Sequence, residues 1–307
     1  MPSGADRPAL ILHGMHGLGD NLHQRAVVRE LLKTRQVWIF TAWPQLYWDL
    51  DAHPLPLGSP LRWMAANETR MADLYGPGLP AGAPSVACRY PVGDVKQTGS
   101  VLGAMSRCCG VPLGDFRLPV APAWAALADA LWAQWKPAKP VLIYRPLVVR
   151  VESRIGYAAR NPDHAAYHAL ISAIRDRYFV VSIADLMPGK EWLVGPQIEA
   201  DATYHAGELN VEAIAAITAR AALVFCSPGF MIVMAQAVGT PVVCTFGGFE
   251  CADSFSAGAR FTPTLSIEPR IPCNCWDHGC MHSKQIDMPR ALARLNAFIL
   301  DPTCKSS

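Results

Sequence analysis

Apolar positions along this chain fall into two alternating patterns, short continuous runs and longer stretches at helical spacing. Residues 8–13 form the first run and predict a strand. Asn21 to Lys33 follows, with Leu22, Ala26, Val27, Leu31 and Leu32 spaced as one face of a helix. Val37 to Thr41 is a second strand, closed by Trp43-Pro44, because proline cannot continue a ladder. Such a β-α-β unit predicts a right-handed parallel crossover. The pattern then weakens. Residues 51–62 and 76–84 are rich in proline and glycine and read as loops, and 76–122 as a whole is irregular. Trp63 to Leu74 predicts a helix, Val86 to Tyr90 a strand and Trp124 to Trp135 a helix. The closely spaced prolines of 136–140 read as a linker.

A second series follows. Val141–Tyr144 is a strand, Arg145–Asn161 a long arginine-rich loop, and Pro162 opens a helix reaching Arg177. Phe179–Ile183 is a strand, Asn210–Arg220 a helix, Ala222–Phe225 a strand, Phe230–Val238 a helix and Pro241–Phe246 a strand. A closing helix spans Pro289–Ile299, and its expected packing is back toward the first domain. Alternating strands and helices indicate parallel sheets. The fold expected is α/β, with two Rossmann-like domains, 1–138 and 139–307, whose parallel sheets face a central cleft.

Composition narrows this picture. Of 307 residues, 51% are hydrophobic and 17% charged, enough for two cores and too apolar for disorder. The net charge of +2 makes no strong case for nucleic acid or a membrane surface. No leader pattern or membrane span is legible, so the expected location is cytoplasmic. Ten cysteines are too sparse for a secreted disulfide scaffold, which leaves buried thiols or metal ligands.

Two turns carry the candidate chemistry. His13-Gly14-Met15-His16-Gly17-Leu18-Gly19-Asp20-Asn21 follows the first strand, and Cys226-Ser227-Pro228-Gly229-Phe230 follows a strand of the second half. Each reads as strand, tight turn and helix start, an arrangement that turns backbone N–H groups toward an anion. Between them, Arg145, Arg150, Arg154 and Arg160 sit where ligands of open α/β sheets bind. Arginine forks suit phosphate oxygens. Glu208 is placed either to hydrogen-bond a nucleoside or to cap the next helix. Later, Cys273, Cys275 and Cys280 with His282 or His278 form a dense soft-ligand cluster of the kind tetrahedral zinc takes.

The segment His16-Gly17-Leu18-Gly19-Asp20-Asn21-Leu22 resembles the N-terminal Gly-Asp turn of the heptosyltransferase-like glycosyltransferases, family nine. Gly207-Glu208-Leu209-Asn210, then Cys226-Ser227-Pro228-Gly229-Phe230-Met231 and Ala235-Gln236-Ala237-Val238-Gly239-Thr240-Pro241, resembles that family's donor motif. Cys226 stands where the family has aspartate and Ile232 where it has histidine. Arg150, Arg154 and Arg160 replace its Lys-Arg-Trp. The chain thus resembles a divergent branch, of the kind often carried by phages and prophages.

The resemblance implies a GT-B fold and an inverting glycosyltransferase that moves a sugar from a nucleotide-activated donor to an acceptor hydroxyl. Lipopolysaccharide, a glycoside, a protein or a hydroxymethylated base of phage DNA are the acceptors it admits. Asp20 becomes the general base, against the simpler reading of a helix cap. Arg145, Arg150, Arg154, Arg160, Glu208, Ser227, Gly229 and Phe230 become the donor side. His16, Gly19, Asn21 and His23 become the acceptor side. Catalysis would need no cofactor, and a zinc or iron at Cys273, Cys275, Cys280 and His282 would be structural. A non-catalytic nucleotide- or sugar-binding module is the main alternative. A dehydrogenase ranks last, because no acidic residue convincingly ends the second strand.

Overall fold

A computed structural model describes residues 7–57, 78–150, 159–277 and 279–302. The helix expected at Trp63–Leu74 lies outside the described residues. The chain divides into two compact units. The first runs to Pro119 and takes in Asp253–Ala257; the second holds Val120–Ala252 and resumes at Gly258.

The first unit carries a parallel sheet of four strands, β1 (Ala9–His13), β2 (Gln36–Thr41), β3 (Ala52–Pro56) and β4 (Ser85–Ala87), in the order β3-β2-β1-β4. Strand β3 arises inside a stretch the proline content marks as loop. It is an edge strand. Leu57 donates its amide to Thr41 O at 3.2 Å, so Pro54 and Pro56 fall on the alternate positions whose amide direction faces away from β2. The helix Leu18–Leu32 joins β1 to β2, and Leu22, Ala26, Val27 and Val28 on it are fully buried. So is Arg25, whose guanidinium pairs with Asp49 and donates to the carbonyl oxygens of Phe116 and Arg117. Two short helices, Val92–Thr98 and Val101–Cys108, occupy part of the region that reads as irregular. Ser100 caps the second by accepting from the Gly103 amide at 3.0 Å.

The second unit carries six parallel strands, β5 (Val141–Tyr144), β7 (Phe179–Ile183), β9 (Ala202–Tyr204), β10 (Leu223–Cys226), β11 (Val242–Thr245) and β12 (Thr264–Ile267). A two-stranded antiparallel ribbon pairs β6 (Val148–Arg150) with β8 (Glu191–Leu193). The main order is β9-β7-β5-β10-β11-β12, the doubly wound order 3-2-1-4-5-6. Side-chain caps start three of its helices: Asp163 for His164–Arg175, Asn210 for Val211–Arg220 and Asp287 for Met288–Leu300. The last helix contributes to the core of the second unit. Leu295 and Phe298 join Tyr167, Leu170 and Phe225 in the second unit's own core.

The helix Pro122–Trp135, expected in the first domain, groups with the second unit. Arg220 on the helix Val211–Arg220 pairs with Asp129 and lies 4.6 Å over the Trp132 ring, and Trp135 Nε1 donates to the Tyr204 hydroxyl at 2.8 Å. These contacts outweigh the proline-rich linker as a boundary signal. No helix among the described residues is long and apolar enough to cross a membrane.

Candidate functional site

Each sheet has one place where consecutive crossovers leave in opposite directions, and ligands of open α/β sheets bind at the strand carboxyl ends there. In the first unit that place is the end of β1, between β2 and β4. In the second it is the ends of β5 and β10. The two glycine-bearing turns occupy these positions.

The first turn is tightly braced. The Gly14 amide donates to Phe40 O at 3.1 Å, and a side chain there would be driven into that same carbonyl. The helix begins at Leu18 after Gly17, three residues earlier than its apolar spacing predicts. Asp20 is therefore its third residue, where a carboxylate is favoured by the helix dipole. Its Oδ2 lies only 2.4 Å from where a Gly17 Cβ would stand. Asn21 donates through Nδ2 to Met15 O at 2.6 Å and Gly17 O at 2.8 Å. Its Oδ1 accepts from Thr41 Oγ1 at 2.6 Å and the Tyr47 hydroxyl at 3.1 Å.

Two of the four residues expected on the acceptor side are buried. Asn21 is fully buried and knits the turn together. His23 is buried edge-on against Phe116, with ring centroids 5.0 Å apart, and burial drives its pKa down to about 3, so the ring is neutral. Gly19 lies in the first helical turn. His16 is exposed, and its carbonyl accepts from Trp43 Nε1 at 2.7 Å. Of the four, His16 keeps a side chain open to solvent.

The second turn is built differently. Gly229 takes φ 154° and ψ −158°, a conformation nearly reserved for glycine, and directly precedes the helix Phe230–Val238. No acidic residue occupies that helix's first turn, and no side chain caps it. Among the described residues nothing lies within 4 Å of a Cβ built on Gly229. Ser227 is half-buried and Phe230 buried. The helix ends at Gly239 (φ 85°), and the Thr240 hydroxyl donates to Thr218 O at 2.6 Å, which ties the Gly-Thr-Pro segment to the neighbouring helix.

The arginines separate into distinct roles. Arg145 is 6% exposed. Its guanidinium pairs with Asp185 at 2.8 Å, donates to Ile183 O and stacks 4.6 Å from the Phe230 ring centroid. It supports the second turn from beneath. Arg160 pairs with the buried Glu250, in the loop after β11. The side chains of Arg150 and Arg154 lie outside the described residues. Glu208 is exposed and accepts from the Ala206 amide at 2.8 Å; Asn210, not Glu208, caps the next helix.

Cys273, Cys275, Cys280 and His282 come together, with all four ligand atoms within 4.8 Å of one another. His278 lies outside the described residues. Asn274 and Trp276 both have positive φ, 50° and 55°. For a bulky tryptophan this is strained backbone, held here by the surrounding contacts. Cys273 Sγ and Cys280 Sγ lie 3.9 Å apart, and Cys275 Sγ lies 3.5 Å from His282 Nδ1. A tetrahedral ion with metal–sulfur bonds of about 2.3 Å has edges of about 3.8 Å, so the donor set fits a zinc-sized ion. His282 Nε2 contacts Gly247 O at 2.8 Å, which fixes the proton on Nε2 and leaves the Nδ1 lone pair toward the thiols.

The same segment holds the loop after β11. Asn274 and Trp276 donate their amides to Gly248 O at 2.8 Å and Phe249 O at 3.0 Å. Gly247 packs so closely on the carbonyls of Arg160 and Asn161 that no side chain fits there. A chain of contacts therefore runs from the cysteines to the Arg160–Glu250 pair at the sheet's carboxyl edge. Sequence reading missed Asp185, Glu250 and the Ser182–His205 hydrogen bond of 2.8 Å. Their signal was weak: Ser182 is one polar residue within β7, and Asp185, His205 and Glu250 are single residues in the segments after strands.

No protein-family model matches the chain, and no curated protein does. Solved structures do. The ADP-heptose lipopolysaccharide heptosyltransferase II of E. coli superposes with a TM-score of 0.58 at 15% identity, covering 95% of this chain and 98% of that one. TibC, an iron-containing dodecameric glycosyltransferase of enterotoxigenic E. coli H10407, gives 0.59 at 16% identity over 97% of this chain and 76% of its own. It has also been solved with ADP-D-beta-D-heptose. A family-nine glycosyltransferase of Veillonella parvula gives 0.54 at 12% identity, covering 86% and 87%. The chain has the GT-B fold of the heptosyltransferase-like glycosyltransferases.

Proposed function

We propose that this protein is an inverting glycosyltransferase using a nucleotide-activated sugar. The observation that carries the reading is the pairing of two switch-point turns of opposite character, one bearing Asp20 and one open at Gly229. Asp20 takes the proton of the acceptor hydroxyl as its oxygen attacks the anomeric carbon. The bond to the nucleoside diphosphate breaks on the opposite face, and the leaving group carries off the electron pair. Backbone amides at the start of the helix Phe230–Val238 receive its charge. Ser227 adds a hydroxyl to that seat, and Arg150 and Arg154 are kept as donor-side arginines on the sequence reading, while Arg160 is paired with Glu250. His16 stands on the acceptor side.

In the same reading, Cys273, Cys275, Cys280 and His282 hold a structural zinc or iron. Bound there, the ion supplies folding energy and no chemistry of transfer. The residues themselves fix the loop Gly247–Phe249.

A thermal-shift panel of nucleoside diphosphates and their sugars tests the donor reading. It begins with ADP-heptose, because a structural neighbour binds it. The expected result is stabilisation by one nucleotide family and its sugar, followed by transfer to one of the four acceptor classes. Stabilisation by a dinucleotide instead overturns it. Donor binding with no transfer to any acceptor supports the non-catalytic module, the reading motivated by Cys226 and Ile232. For the metal, elemental analysis of reduced protein should show close to one equivalent, and Cys275→Ser should lower metal content and thermal stability together. Less than a tenth of an equivalent, with all three thiols titrating freely, refutes the site.

A further inference from the structure

The outer edge of the second unit's sheet ends in a pocket that the reading above does not use. Glu268 and Arg270 follow β12, Asp287 caps the final helix, Arg290 lies in its first turn and Arg294 one turn further on. Together they line a cavity of about 300 Å³, within the range of small-molecule sites. β12 lies two strands outside β10, which at the usual strand spacing is about 10 Å from the turn at Gly229.

The charges here are placed against their own interest. Arg290 sits in the first turn of the helix Met288–Leu300, where the dipole disfavours a cation. Arg290 and Arg294 are four residues apart, a like-charge pair on one helical face. Arg294 is part-buried, and desolvation followed by the Arg290 charge pulls its pKa below the ordinary arginine value. The Glu268 carboxylate opposes that lowering in part. Asp287 Oδ1 accepts from the Arg290 amide at 3.3 Å as the helix cap, and Oδ2 is 3.9 Å from Arg270. Both of those side chains are about half exposed, so that pair is weak. Glu268 Oε1 accepts from the Ala252 amide at 2.8 Å. Arg294 gives one N–H to Ser266 O at 3.1 Å. Among the described residues, the Arg270–Asp287 contact is the one ion pair these three guanidiniums form.

We propose that this pocket binds the phosphate group of a small phosphomonoester. A tetrahedral dianion accepts from Arg290 and Arg294 together, offsets their mutual repulsion and meets the positive end of the final helix. The remaining volume takes the body of the ligand. The proposal does not depend on the donor reading, because it concerns other residues at another edge of the sheet.

The test uses full-length protein and titrates inorganic phosphate and glucose 6-phosphate, with glucose and ionic-strength-matched sodium chloride as controls. Both phosphates should bind saturably and raise the melting temperature, with glucose 6-phosphate at least as tight as phosphate. Arg290 is exposed, so Arg290→Gln should fold. It should melt no lower than wild type without ligand, because a repulsive charge is gone, and bind glucose 6-phosphate at least tenfold more weakly. Arg294→Gln should weaken binding as much. Arg107→Gln, an equal charge loss in the first unit, should bind as wild type. The proposal fails if neither phosphate stabilises beyond chloride, or if Arg290→Gln and Arg107→Gln bind alike.

Discussion

The two turns at the carboxyl ends of β1 and β10 share a topology and differ in what fills them. In the first, the place a Gly17 side chain would take is occupied by the Asp20 carboxylate, and Asn21 uses both ends of its amide to close the loop. In the second, no described residue comes within 4 Å of a Cβ built on Gly229, and the helix behind it carries no acid in its first turn. A helix start that already has its own carboxylate repels a phosphate; one without it attracts an anion. In the function proposed above, the same supersecondary unit serves as a seat for a base in one half and for a diphosphate in the other. The difference rests on a few side chains rather than on the fold.

The largest effect expected from breaking this contrast is at Asp20. Asp20→Asn keeps the shape and cannot take a proton, so steady-state assays should show kcat reduced about 10²–10⁴-fold with donor affinity unchanged. Wild-type turnover in this variant would reduce Asp20 to a helix-start carboxylate. The two glycines give a sharper comparison, because one substitution acts differently in each turn. Gly17→Ala drives a methyl into the Asp20 carboxylate and should lower kcat with little change in donor affinity. Gly229→Ala forces alanine into a glycine conformation and fills the open seat. It should weaken donor binding and cost about 1–3 kcal/mol of stability, read by denaturant titration.

A smaller effect concerns the first turn's support. His23 is held neutral, its pKa lowered from the ordinary 6.5 to about 3 by burial. The unfolded chain binds this proton below pH 6.5 and the folded chain does not. The stability His23 permits is therefore full above pH 6.5 and lost as pH falls from there toward 3. The slope is at most about 1.4 kcal/mol per pH unit. Unfolding measured across this window should show that slope in wild type and a flatter one in His23→Leu. Equal slopes would mean the ring is solvated.

Much of the second unit was legible because its strands are buried on both faces and read as unbroken apolar runs, such as Leu223–Cys226 and Val242–Thr245. The first unit was harder. Strand β3 carries two prolines, which an edge strand tolerates but a sequence reading treats as a breaker. The first helix hides its start because Gly17-Leu18-Gly19 looks like a turn, and its buried face includes Asn21, His23 and Arg25 among the apolar positions. At the candidate site, the cysteine cluster was readable because its ligands are close in sequence. The Arg160–Glu250 pair was not, since ninety residues separate its members and nothing local marks Glu250 as buried. Arg145 reads as a phosphate ligand by position, and its contact with Asp185, after a different strand, shows it as a buried support.

The most direct test of the division of labour between the turns is one calorimetric series. Wild type, Asp20→Asn and Gly229→Ala are titrated with the nucleoside diphosphate that stabilises the protein best. The account predicts equal affinity for wild type and Asp20→Asn, and at least tenfold weaker binding for Gly229→Ala with its circular dichroism unchanged. Undiminished binding in Gly229→Ala, or its loss in Asp20→Asn, would place the diphosphate at the other turn and contradict the account.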